Sequence, residues 1–301
     1  MTSVPPSSNG AQKGTPQAAS RRVSQPVNIP SLGRPLHVVV CMKMTPDATD
    51  LTIDPVKKTL DRTKVKNIIN PPDENAFEMA LQFKDRFGAQ VSVVTMGPPF
   101  FDIMLRECVA RGADRGVLIT DRAFAGADTW PTSMTLSAGI KKISKTWGDV
   151  DIILFGEETT DASTGQVGPG VAGQLDTEQA TYIHSAEFDP VSETVTAVRS
   201  IGGGHETLRL PLPVALTCEL KINTPRIATL NGKVKGAQTQ LVVWSLADLT
   251  DIKDPSWVGL KGSPTIVGKV DISSGFERHA KKLGNAGELV NELFTRGSVG
   301  Q

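Results

Sequence analysis

From Leu36 onward the chain alternates short, uninterrupted apolar runs with longer stretches of helical spacing. Val38-Val39-Val40-Cys41-Met42 is a run of the first kind, bounded by the segment Lys43 to Asp47, and it predicts a buried strand. Asn70-Pro71-Pro72-Asp73 then punctuates the chain and offers Asp73 as a helix N-cap. Behind it Ala76, Ala80, Phe83 and Phe87, with Phe77 and Leu81, recur at the spacing of one helix face. Val91 to Met96 reads as a second strand, ending in Gly97-Pro98-Pro99. A helix over Phe101 to Ala110 leads through Arg111-Gly112-Ala113-Asp114 to a strand at Gly116 to Ile119. A long helix follows from Thr129 to Lys145, with Asp128 as its cap, and Val150 to Phe155 is the next buried strand.

Strands and helices in strict alternation predict an α/β fold, a mostly parallel sheet with helices on both faces. The second half has a different rhythm. Glu193 to Arg199 and Glu206 to Leu210 flank Gly202-Gly203-Gly204 as a β-hairpin, and Val214 to Thr217 resumes as strand after Pro211 and Pro213. Beyond Leu246 the pattern thins to scattered apolar groups (Trp257, Val258, Leu260, Ile266, Val267) and a last helix near Ala286 to Phe294. Residues 246–301 are therefore expected to be an arm that packs on a partner. Residues 1–35, rich in Ser, Pro and Gln and without an acidic residue, hold too little apolar surface to offset the entropy of ordering, and predict a disordered tail. That leaves residues 36–245 as the folded domain.

Composition narrows the function. The chain has 301 residues, 32 basic and 32 acidic, a balance suited neither to a nucleic-acid backbone nor to an anionic membrane surface. No apolar run approaches the roughly 20 residues of a membrane span. Three dispersed cysteines (Cys41, Cys108, Cys218) and four dispersed histidines point to no disulfide framework and no metal site, and fit a reducing, cytoplasmic type of compartment.

The candidate chemistry lies in the loop Gly156 to Pro169, GEETTDASTGQVGP. It follows a buried strand and empties into a small-residue helix start at Gly170. Glycines admit close approach of a phosphate, and free helix N–H groups favour negative charge, so the loop points to a nucleotide. It is neither a GxxxxGK[ST] nor a GxGxxG loop, and a plain polar turn would read the same way. In parallel sheets ligands bind beyond the carboxyl ends of the strands. That places Cys41, Met96, Asn70 to Asp73, Ala125 to Thr129 and Thr159 to Val167 on one rim. No nucleophile with a partnered base occurs among them, so no catalytic residue is assigned.

In order along the chain, these segments resemble the beta subunit of electron transfer flavoprotein. Lys43-Met44-Thr45-Pro46-Asp47 is similar to the family's KQVPD, and Asn70 to Ala76 to its NPxDExA. Met96-Gly97-Pro98 and Ala110 to Arg115 follow as in the family. Gly156 to Pro169 resembles its GxxxxDGDTxQVGP nucleotide loop, and Pro211 to Leu230 its docking loop. The likeness covers about residues 36–245.

The resemblance implies an adenine-nucleotide-hydrolase-like, Rossmann-like fold and an electron carrier rather than a stand-alone enzyme. It implies pairing with an alpha subunit and exchange of electrons with an acyl-CoA dehydrogenase-like enzyme or a quinone-linked acceptor. By resemblance the nucleotide contacts fall on Cys41, Asn70, Pro71, Pro72, Asp73, Met96, Gly156, Thr160, Asp161, Ala162, Ser163, Thr164, Gly165, Gln166 and Val167, joined on the rim by Asp128 and Thr129. The docking residues fall on Lys221, Ile222, Asn223, Pro225 and Arg226, with Ile222 where the family places an exposed apolar anchor.

Phe124 to Thr129 and Thr164 to Pro169 look like the branch that binds a second FAD and bifurcates electrons from NADH; AMP in the same place is the alternative. One departure stands out: the family's DGDT reads Asp161-Ala162-Ser163-Thr164, where Ala162 loses glycine's access to positive φ and Ser163 replaces a carboxylate. Two other classes share such a sheet, a nucleotide-hydrolysing or adenylating enzyme and an ATP-binding regulator. The first wants an SGGxDS-like loop after the first strand, where this chain has Cys41-Met42-Lys43-Met44. Neither accounts for the docking-loop likeness.

Overall fold

The computed structural model describes residues 33–47, 66–266 and 281–296. The expected tail over residues 1–32, Val267 and most of the linker before the last helix lie outside the described residues. Arg34, at the end of the expected tail, pairs with the buried carboxylate of Asp151 at 2.6 Å, so that end belongs to the body.

The chain opens with β1 (His37–Cys41), then a short antiparallel ribbon of β2 (Met44–Pro46) and β3 (Asn67–Ile69) that delivers it to α1 (Pro71–Phe87). Then follow β4 (Gln90–Met96), α2 (Asp102–Arg111), β5 (Arg115–Ile119), α3 (Thr129–Trp147), β6 (Ile152–Gly156) and α4 (Val167–Leu175). The second half contributes β7 (Glu178–Asp189), β8 (Thr194–Ile201), β9 (Gly204–Pro211), β10 (Val214–Cys218), α5 (Leu230–Gln238) and β11 (Val242–Trp244). The short α6 (Gly259–Gly262) and the separate α7 (Ala286–Thr295) complete it.

One nine-stranded sheet runs in the order β11-β5-β4-β1-β6-β10-β7-β8-β9. Every pair from β11 to β7 is parallel, and only the β7-β8-β9 end is antiparallel. Alternation along the strands divides the interior in two. Val38 and Val40 of β1 face Phe77 and Phe83 of α1 and Met104 and Leu105 of α2, whereas Val39 and Cys41 join Leu136, Ile140 and Ile143 of α3 and Val171 of α4. The predicted α/β sheet with helices on both faces is therefore present. From β1 the chain winds outward to β4 and β5 and then returns to β6 on the other side, so the order reverses beside the ends of β1 and β6.

The expected arm is only partly an arm. Leu249, Ile252 and Val258 are buried in the second core, so residues 246–262 begin on this chain's own body. Trp257, Leu260 and Ile266 stay exposed, as do Leu289, Val290 and Phe294 on α7. No helix among the described residues is long and apolar enough to cross a membrane.

Candidate functional site

Three segments meet at the carboxyl ends of β1 and β6, and two polar side chains from the start of α1 tie them together. Asn70 and the two prolines after it set the helix start, because proline at the first positions has no N–H to leave unpaired. Asp73 is not the N-cap. Asn70 occupies that position, and Asp73 lies one turn in, buried, with its carboxylate turned toward the sheet. Asp73 accepts from Lys43 N–H at 2.8 Å, Gly156 N–H at 3.1 Å and Asn70 Nδ2 at 3.0 Å. Asn70 also donates to the Glu158 carbonyl at 2.9 Å and accepts from Thr160 N–H at 3.1 Å. Thr160 in turn donates its hydroxyl to Thr45 at 3.0 Å. Burial pushes the Asp73 carboxyl up to about 7, against three donors that favour its charge.

Gly156 marks the point where this clasp is tightest. A Cβ there would strike the Asp73 carboxylate and lie 2.7 Å from Pro72 Cβ, so the chain can leave β6 past the start of α1 only as glycine. Cys41, at the end of β1, is buried, and burial with the nearby Asp73 charge pushes its thiol well up, so it is an apolar wall rather than a nucleophile. Met96 ends β4 half-buried against the second core.

The loop beyond Gly156 folds on itself. Ser163 N–H donates to the Thr159 carbonyl at 2.7 Å, and the positive φ of this turn falls on Ser163 (50°) and Gly165 (61°). Ala162 has no positive φ, so its lack of glycine's freedom costs nothing; the expected strain is displaced by one residue. Burial raises the Asp161 carboxyl, but the ammonium of Lys43 at 2.7 Å outweighs it and holds the group below its ordinary value. Gln166 and Val167 then open α4. The backbone N–H groups of Thr164, Gly165, Gln166 and Val167 donate to no group among the described residues. Four successive free donors at a helix start, amid small side chains, fit an anionic phosphate.

Thr129 joins this rim by donating its hydroxyl to Gln166 Oε1 at 3.0 Å. Asp128 is the expected cap of α3, accepting from Trp130 N–H at 3.0 Å, but its other oxygen accepts from the Thr265 hydroxyl at 2.7 Å. Its side chain is thus held by this chain's own 263–265 segment.

The expected docking segment is strapped to α1. Asn223 and Asn75 exchange amide hydrogen bonds at 2.9 Å, and Arg226 forks onto buried Glu78 at 2.8 Å and reaches Asp85 at 2.7 Å. Ile222 is half-buried against the first core, contrary to the exposed tip expected of it. The outward aliphatic groups are Ile227, 90% exposed, and Leu230, 80% exposed. Lys221 is exposed and Pro225 half-buried. Glu78 and Asn75 were not foreseen as site residues; their partners lie 148 positions away, and only an acidic residue on an apolar helix face hinted at Glu78.

Residues 57–249 match the family described as "Electron transfer flavoprotein domain". The chain is 44% identical over 257 residues to "Electron transfer flavoprotein subunit beta" of Clostridium acetobutylicum, covering 85% of this chain and 93% of that one. It is 39% identical over 259 residues to "Protein FixA" of Rhizobium meliloti, covering 86% and 88%. It is also 39% identical over 261 residues to "Caffeyl-CoA reductase-Etf complex subunit CarD" of Acetobacterium woodii, covering 86% and 95%. The chain belongs to the electron transfer flavoprotein family and is similar to its beta subunits.

Proposed function

We propose that this chain is the nucleotide-holding beta subunit of an electron-carrying heterodimer, with FAD on the rim formed by Asn70, Asp73 and the loop from Gly156 to Val167. The observation that carries this reading is the run of four N–H groups from Thr164 to Val167 that donate to no group among the described residues, in a loop whose start is fixed by the Asn70–Asp73 clasp. Donors of that kind suit a diphosphate. They offer no acid or base, and flavin supplies the redox chemistry when bound.

This chain's own residues bind and orient. Asn70 and Asp73 fix the loop, Gly156 and Gly165 keep side chains out of the approach to the backbone, and Cys41 and Met96 line the rim with apolar atoms. The exposed apolar groups of α7 and of Trp257, Leu260 and Ile266 are the surface offered to an alpha subunit. The name of the Acetobacterium woodii relative, which joins an Etf to a caffeyl-CoA reductase, supports an acyl-CoA-type flavoenzyme as redox partner here. A cytoplasmic setting, or the mitochondrial matrix in a eukaryote, accompanies this role, and two flavins of separated potential would extend it to bifurcation. The test is the visible spectrum of the chain co-purified with its alpha subunit. Flavin bands that bleach on mixing with a substrate-reduced dehydrogenase support the proposal; an adenine band alone would favour an ATP-binding regulator and overturn it.

A further inference from the structure

Tyr182 is the only tyrosine in the chain, and it holds a backbone conformation that does not suit its shape. Its φ is 54°, in the left-handed region, within the strand β7. A bulky side chain there is an outlier that persists only when its surroundings enforce it. The β10 edge of the strand records the distortion: the partners of Leu216 and Cys218 are Ala180 and Ile183, so the register slips across Tyr182. The level of the slip is that of the rim, because Cys218 is in register with Gly156, where the loop leaves β6.

The distortion is held by one side chain and directs another. Tyr182 N–H donates to Thr217 Oγ1 at 2.9 Å. The methyl of the same Thr217 abuts the first turn of α4, where a Cβ on Gly168 would lie 2.7 Å from it. The hydroxyl end of the Tyr182 ring meets the loop at Gly165: a Cβ on that glycine would lie 3.0 Å from the hydroxyl and 3.3 Å from the Glu157 carbonyl. The hydroxyl itself makes no hydrogen bond among the described residues, and the residue is 41% exposed. Gly165 is one of the four residues with free N–H groups.

We propose that Tyr182 is a positioning residue of the nucleotide loop: the left-handed turn at Tyr182, fixed by Thr217, sets the hydroxyl end of its ring against Gly165 and so holds the 164–167 donors in place for phosphate. This rests on the nucleotide reading above. An ordinary extended conformation at residue 182 would restore the ladder and withdraw the ring from the loop.

The test uses the full chain co-expressed with its alpha subunit, stripped of nucleotide and titrated with FAD and with AMP. Tyr182→Asn keeps a side chain that tolerates the left-handed region but removes the ring. Its nucleotide dissociation rate should rise at least about tenfold, with the melting temperature of the stripped protein unchanged or raised. Tyr182→Phe, which keeps the ring, should fall between wild type and Tyr182→Asn. Wild-type retention in Tyr182→Asn would overturn the proposal and leave the nucleotide reading standing. A lowered melting temperature with parallel loss in both variants would also overturn it, by showing a merely structural role. Absence of rim nucleotide from the wild-type complex would overturn the nucleotide reading and this proposal together.

Discussion

The burial of Asp73 has a measurable signature in the pH dependence of stability. Its carboxyl moves from an ordinary 3.8 to about 7, because burial outweighs the donors Lys43 N–H, Gly156 N–H and Asn70 Nδ2. A folded-state value above the unfolded one means that the folded chain binds the extra proton between the two. Stability is then highest toward the acid end of that window and is lost as pH rises through it. Between about pH 5 and about pH 8 the group should contribute a loss of about 2–3 kcal/mol. Asp73→Asn keeps the shape and removes the titration, so the wild-type protein should lose that amount relative to the variant across the same interval.

Urea unfolding of both proteins at a series of pH values measures the difference, and comparing them cancels what they share. His37 is one such shared term: burial holds its imidazole down, which gives a slope of the opposite sign in both proteins. A difference that stays flat from about pH 5 to about pH 8 would refute the reasoning, since it would mean the three donors keep Asp73 ionised throughout. A difference of opposite sign would refute it equally.

Other consequences follow from the same contacts. Gly156→Ala forces a methyl to within 2.7 Å of Pro72 Cβ and 2.8 Å of the Asp73 amide nitrogen, and should destabilise by about 1–3 kcal/mol in thermal or urea unfolding. Gly165→Val adds a branched side chain at φ 61° against the Tyr182 hydroxyl and the Glu157 carbonyl, and should abolish nucleotide retention while the far-ultraviolet spectrum is kept. Arg226→Ala leaves buried Glu78 without its fork; with the arginine about a third exposed, the cost should be about 1–3 kcal/mol and the 221–227 segment should become a new site of limited proteolysis, absent from the wild type. Ile227→Ser should slow electron transfer to a partner dehydrogenase with flavin content unchanged, whereas Ile222→Ala, which removes a half-buried contact, should lower stability as well.

What could be read from the sequence was local and what could not was either long-range or atypical. Val38 to Cys41 and Ile152 to Phe155 announced buried strands because both faces are covered, and Asp128 announced the start of α3 through its cap. β7 escaped notice because its exposure is uneven and its alternation breaks at Tyr182 and His184. α5 was hidden by Gly232 and Gly236, poor helix formers placed where α5 crosses the backbone of α2 at Ala110 and Arg106. On the rim, the loop and the Asn70–Asp73 turn were legible as residue types. That Asp73 would turn inward to bind Gly156 depends on a contact between segments 83 positions apart, and that the positive φ would fall on Ser163 depends on how the loop closes onto Thr159. The docking segment shows the same limit: its order was readable, but not that α1 would claim Asn223 and Arg226.

A nucleotide on the rim is the feature on which the proposed role depends most. Denaturing the co-purified pair and quantifying released FAD and AMP by chromatography reads it without reference to any partner. Two equivalents of FAD per pair are predicted, one of them lost in the Gly165→Val protein. A single FAD with no AMP, unchanged by Gly165→Val, would contradict a nucleotide on this chain.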